Sequence, residues 1–201
     1  NLEHGFDEIF REGELLSDLH HPAIIRVLDG GYTHEAQRQR PYLALEYFDA
    51  PTLEGYLAQQ GRLTLPQVLP LARQVAEALQ VAHERNVLHR DLKPDNLLVR
   101  RGAQDDWEIK VIDFGLAVTG KVVTETVAAG SLGQSLVGES LGGTFQYSAP
   151  EQLGLVAGKI GPWSDVYAFG KTLSHALFLT PQPSRKNYRH LGDHPFADLL
   201  G

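Results

Sequence analysis

His89-Arg90-Asp91-Leu92-Lys93-Pro94-Asp95-Asn96 is the stretch from which the fold can be read. It is too polar for a core element, yet it lies between two apolar ones. Upstream, a long helix is predicted to start near Thr64 with Pro66 in its first turn. Val68, Leu71, Ala72, Val75, Ala76, Leu79 and Ala82 recur on one face of it at helical spacing. Downstream, Leu97-Leu98-Val99 and the run Glu108 to Ile112 read as short paired strands around a polar turn. Asp113-Phe114-Gly115 follows the second strand, with Asp113 seventeen residues after Asn96. Then come Gly143-Thr144-Phe145-Gln146-Tyr147-Ser148-Ala149-Pro150-Glu151 and Asp165-Val166-Tyr167-Ala168-Phe169-Gly170.

Farther out, helical spacing of apolar residues runs from Phe6 to Leu19 and stops before His21-Pro22. Ile24, Ile25, Val27 and Leu28 predict a strand closed by Asp29-Gly30-Gly31, and Tyr42 to Tyr47 a second strand. Pro51 breaks the chain, and Thr52 can cap a short helix ending at Gly61. Ser164 is expected to cap a helix running to Pro181. Residues 120–143 are rich in Gly, Ser and Thr, cannot bury much apolar surface, and are expected to be mobile. The expected architecture is a small sheet-bearing front on a helical body, with a site in the crevice between them.

Composition removes whole classes of function. The 201 residues are 42% hydrophobic and 21% charged, an ordinary globular balance. Eighteen Lys and Arg against 25 Asp and Glu leave a net charge of −7, which argues against a dedicated nucleic-acid binder. With no Cys, disulfides, zinc ribbons and thiol catalysis are excluded. No apolar run approaches a membrane span and no signal peptide follows Asn1, so a cytoplasmic location is expected. Met is absent as well, which suggests a start upstream of Asn1. His83-Glu84 with His89 has the wrong spacing for a zinc helix, and Gly170-Lys171-Thr172 lacks the first glycine of a P-loop.

Taken together and in this order, the motifs resemble those of eukaryotic-type (Hanks-type) serine/threonine protein kinases, in a bacterial rather than animal style. The resemblance covers nearly the whole chain. It implies an α+β, bilobal kinase-like fold, with residues 1–48 a remnant of the small lobe and 49–201 the mostly helical large lobe. It implies transfer of the γ-phosphoryl group of ATP, with Mg²⁺ or Mn²⁺, to Ser or Thr hydroxyls of a protein substrate. Such chemistry needs positioning and neutralisation of phosphate charge more than covalent steps. Asp91 would accept the hydroxyl proton, Lys93 would face the transferred group, and Asn96 and Asp113 would supply oxygen ligands to the metal.

The same resemblance assigns the remaining positions. Thr144 would contact Asp91 and Lys93, while Glu12, ten residues before Pro22, matches the helix glutamate that pairs with a strand lysine; Glu14 competes for that role. Leu45, Glu46 and Phe48 fall where gatekeeper and hinge belong, and Leu98 would pack on adenine. Leu16, Val27, His89 and Phe114 would form an internal apolar spine, and Asp165 would hold the catalytic loop through backbone N–H groups. Arg90 implies control by phosphorylation at Thr124, Thr126, Ser131, Ser135 or Ser140, with a trans-autophosphorylating dimer one route to it. The family's glycine-rich loop and strand lysine would precede Asn1, and the arginine partner of Glu151 would follow Gly201. The chain as given is therefore expected to hold Mg-ATP weakly. A catalytically inactive kinase-like binding module is the alternative reading.

Overall fold

A computed structural model describes residues 17–34, 39–102, 106–114 and 145–188. Strands β1 (Val27–His34) and β2 (Gln39–Leu45) form an antiparallel pair. Helices α1 (Leu53–Gln60) and α2 (Leu65–Glu84) follow, and a 3-10 turn at Pro94–Asn96 leads into a second antiparallel pair. That pair is β3 (Leu97–Arg101) with β4 (Trp107–Val111), in register from Leu97 opposite Val111 to Arg101 opposite Trp107. Helix α3 (Pro162–Phe178) and the short α4 (Arg185–Tyr188) complete the α+β arrangement.

Local chemistry places most of these ends where the sequence puts them. Thr52 Oγ1 accepts the Gly55 N–H at 3.1 Å, and Gly61 closes α1 at φ 78°. Gln67 Oε1 accepts the Thr64 N–H at 2.8 Å, tying the start of α2, where Pro66 costs no hydrogen bond.

Five expectations need correction. β1 does not end at Asp29-Gly30-Gly31 but runs through it, Gly30 opposite Leu43 and Gly31 opposite Tyr42. These glycines serve close approach rather than a turn, since a Cβ on Gly30 would stand 2.9 Å from Leu43 Cδ2. β2 stops at Leu45, two residues before Tyr47. On α2 Ala78 is buried, and Ala76 is exposed. α3 begins at Pro162 behind Gly161, so Ser164 sits in the first turn, its Oγ accepting the Gly161 N–H at 3.2 Å. That helix ends at Phe178 rather than Pro181, on Leu179 at φ 57°. The spacing seen from Phe6 to Leu19 lies outside the described residues except for its last turn.

The core forms where α2 packs on β4 and α3. Leu71, Val75, Ala78 and Ala82 are buried against Leu92, Val99, Val111 and Ala168. The front pair is fastened to this body by backbone. Ile25 N–H donates to Val111 O at 3.0 Å and Val111 N–H to Ala23 O at 2.7 Å. Val99 N–H reaches Pro51 O at 2.9 Å, so the segment between β2 and α1 is also pinned to β3. The result sets the 89–96 loop, the end of β4 and the segment after β2 on one framework.

Candidate active site

The 89–96 loop is held from below by one carboxylate. Asp165, 1% exposed near the start of α3, accepts the His89 N–H on Oδ2 at 2.9 Å and the Arg90 N–H on Oδ1 at 2.8 Å. His83 on α2 adds a third bond, Nε2 to Asp165 Oδ2 at 2.7 Å. Arg90 takes a left-handed φ of 66°, a conformation that needs outside support in a non-glycine residue. A further clamp comes from Gln152, whose Nε2 donates to Arg90 O at 2.8 Å while its Oε1 accepts the Ala149 N–H at 3.0 Å.

Above this anchor the polar side chains converge. Lys93 Nζ lies 2.8 Å from Asp91 Oδ2. Asn96 Nδ2 donates to Asp91 O at 2.7 Å and to Asp91 Oδ2 at 3.2 Å, so the donor end of the amide is committed to the loop. The Ile112 N–H donates to Asn96 O at 3.0 Å, so the residue before Asp113 is joined to the loop. Asp113 is exposed, at φ 58°. Two hard oxygen donors, the Asn96 amide and the Asp113 carboxylate, thus stand at the same end of the β3–β4 pair. This donor set fits Mg²⁺ or Mn²⁺, and among the described residues no cluster of three His, Asp or Glu offers another metal site.

His89 is fully buried, its ring 4.7 Å from that of Phe114, with Nε2 donating to Ile112 O at 3.0 Å and Nδ1 accepting the Asp91 N–H. Burial favours the neutral imidazole over the pull of the Asp165 and Asp91 charges, so its pKa lies below the ordinary 6.5. Unfolding returns it toward that value. Below about pH 6.5 the unfolded chain therefore binds the extra proton, and stability falls as pH drops. The melting temperature is expected to fall more steeply from about pH 7.5 to about pH 5.5 in the wild type than in His89→Phe. Equal slopes in the two melting series would refute this assignment.

The hinge residues are described too. Leu45 ends β2 and is 38% exposed. The Glu46 N–H is committed to Arg26 O at 2.9 Å, which leaves its carbonyl as the backbone group able to face a ligand. The Glu46 carboxylate is bonded to Lys110 Nζ and the Arg26 N–H. Partial burial raises the Glu46 pKa, but the Lys110 and Arg26 bonds outweigh it and hold the carboxyl below its usual value. The Phe48 ring lies under the Arg100 guanidinium at 4.4 Å, and half-buried Leu98 bridges Thr52.

Glu151, which the sequence leaves waiting for an arginine, accepts the Ser164 hydroxyl at 2.6 Å. Glu12, Glu14, Leu16, Thr144, Thr124, Thr126, Ser131, Ser135 and Ser140 lie outside the described residues. Two groups escape the sequence. His83, set aside there as a failed zinc ligand, supports Asp165. The Tyr147 hydroxyl is hydrogen-bonded to His175 Nδ1 at 2.6 Å, and His175 Nε2 is 3.3 Å from Glu54, joining the 145–150 turn to α3 and α1. Burial, then the charges of Glu54 and Asp95, push the Tyr147 phenol pKa up. No local spacing announces such a chain of contacts.

A family model described as the protein kinase domain matches residues 1–195. The serine/threonine-protein kinase PknB of Mycolicibacterium smegmatis is 31% identical over 195 residues, covering 92% of this chain and 28% of that protein. The serine/threonine-protein kinase pkn2 of Myxococcus xanthus is 35% identical over 160 residues, 80% of this chain and 18% of its own length. The chain therefore spans well under a third of these curated relatives. Among solved structures, the PknI kinase domain of Mycobacterium tuberculosis gives a TM-score of 0.64 at 25% identity, over 90% of this chain and 59% of that one. Rad53 residues 1–466, solved with AMP-PNP, gives 0.69 at 21% identity over 96% and 48%, a likeness of fold.

Proposed function

Because this chain belongs to the protein kinase domain family, we propose that it carries the phosphoryl-transfer machinery of a serine/threonine protein kinase. The observation that carries the reading is the Lys93–Asp91–Asn96 constellation, with bonds of 2.8 and 3.2 Å to one Asp91 oxygen, joined through Ile112 to Asp113. The names of the bacterial relatives support serine and threonine as acceptors, as does Lys93 within Asp-Leu-Lys-Pro-Asp-Asn.

In this reading ATP enters between the segment after β2 and the β3–β4 end. The Glu46 carbonyl and the Phe48 N–H meet the adenine edge, and Leu98 covers one face. Asn96 and Asp113 hold the divalent cation, Mg²⁺ or Mn²⁺, which when bound neutralises charge on the nucleotide phosphates. Asp91 orients the hydroxyl of the protein substrate and takes its proton as the oxygen bonds to the γ-phosphorus. The bond to the bridging oxygen breaks and ADP leaves. Lys93 offers its ammonium to the phosphoryl oxygens during that passage. Protein substrates follow from the family. Among the described residues no helix is long and apolar enough to cross a membrane.

The test uses the full-length protein with γ-labelled ATP and peptides identical except for Ser, Thr or Tyr at the acceptor. Label on the Ser and Thr peptides is the expected result. A protein that binds ATP but labels none of them is a kinase-like binding module instead.

A further inference from the structure

A cavity of about 480 Å³ opens beside Glu46. Its size falls within the range of small-molecule sites. Leu19 and Ile24, 4% and 2% exposed, contribute buried apolar surface to it. Arg26, Glu46, Lys110, His20 and His21 supply the polar part of its lining. None of these groups belongs to the Asp91 constellation.

The charges in this lining do not cancel. Lys110 Nζ is bonded to the Glu46 carboxylate and approaches Ile24 O at 3.5 Å. Arg26 uses its backbone N–H on the same carboxylate oxygen at 2.9 Å and is itself exposed. The one cation paired with this carboxylate is Lys110, so the Arg26 guanidinium leaves the lining, among the described residues, with a formal excess of one positive charge. His21 Nδ1 accepts the Ala23 N–H at 3.2 Å, which leaves the Nε2 edge of a neutral ring as a donor. A cation and a donor edge beside apolar surface select an anion that carries an apolar body.

We propose that this cavity is a second ligand site, separate from the nucleotide site, for a small amphiphilic anion: one carboxylate or sulfonate on an aromatic or aliphatic body. The anionic group pairs with Arg26, and the body lies against exposed Pro22, over a floor closed by Leu19 and Ile24. The site goes beyond phosphoryl transfer and does not depend on it.

Isothermal titration of full-length protein with 2-naphthalenesulfonate tests this, with excess Mg-ADP present to occupy the nucleotide site. One saturable site is expected. Arg26→Glu should weaken it by about tenfold or more, as loss of a charge-assisted bond does, and Arg26→Lys should retain most of it. The neutral 2-naphthalenemethanol should bind about tenfold more weakly than the sulfonate. Arg26 is exposed, and Arg26→Ala serves as a second variant if the charge reversal unfolds the chain. Absence of saturable heat overturns the proposal, as does equal affinity of wild type and the charge-removing variants Arg26→Glu and Arg26→Ala, or of the sulfonate and the alcohol.

Discussion

Asp91→Asn is expected to slow phosphoryl transfer by about 10²–10⁴-fold while nucleotide affinity stays within about twofold of wild type. The substitution is nearly isosteric and removes the only property that acid–base chemistry needs, a carboxylate able to take a proton. The loop should survive it. Asn96 Nδ2 still finds the backbone oxygen of residue 91, at 2.7 Å in the wild type, and the Asp165 bonds to His89 and Arg90 involve backbone alone. What weakens is the pairing with Lys93, a part-buried contact of 2.8 Å in which the amide oxygen of Asn can still accept from the ammonium. Single-turnover transfer to a Ser peptide measures the first quantity and ADP titration the second. A variant that transfers at the wild-type rate excludes Asp91 as the base. One that loses transfer and ADP affinity together shows a collapsed site rather than a missing proton acceptor.

What could be read in the sequence was whatever short-range spacing encodes. Leu97-Leu98-Val99 against Glu108 to Ile112 is a hairpin because two apolar runs flank a polar turn, and the register found is the one that arrangement allows. Thr52 and Gly61 bound α1 because a hydroxyl cap and a left-handed glycine act within one turn. Failures came where one residue type serves two purposes. Gly30-Gly31 looks like a turn, yet absent side chains also let Leu43 and Tyr42 close over a strand. Ser164 looks like a cap, yet it works from the first turn toward Gly161 and Glu151. The remaining contacts are long-range: His83 with Asp165, Tyr147 with His175, Glu46 with Lys110. Each joins residues whose separation is set by the packing of α2, α3 and β4, so their meeting is legible only in three dimensions.

Asp165 is where that packing bears hardest on the chemistry, and Asp165→Ala is expected to lower stability and turnover together. The side chain is 1% exposed and takes three donors, the N–H groups of His89 and Arg90 and Nε2 of His83. Truncation leaves the two backbone donors facing an apolar gap, each at about 1–3 kcal/mol, so a total near 4 kcal/mol is reasonable. At about 2–4 °C per kcal/mol for a chain of this size, the melting temperature should drop by on the order of 10 °C. His83 adds less, because its side chain is 16% exposed and can turn to water. The kinetic effect has a separate origin. Arg90 at φ 66° is held by the Asp165 carboxylate from one side and Gln152 from the other, and Asp91 is the next residue. Releasing one side lets that strained backbone relax and carries the Asp91 carboxylate with it. A shift near 1 Å costs about 10²-fold in rate even when the chain is folded. The two effects separate experimentally when kcat is measured well below the melting point of the variant, beside ADP affinity. A fall in kcat with ADP affinity retained identifies Asp165 as a positioning residue. If kcat is wild-type at a temperature where Asp165→Ala is fully folded, the carboxylate stabilises the fold and does not aim the loop.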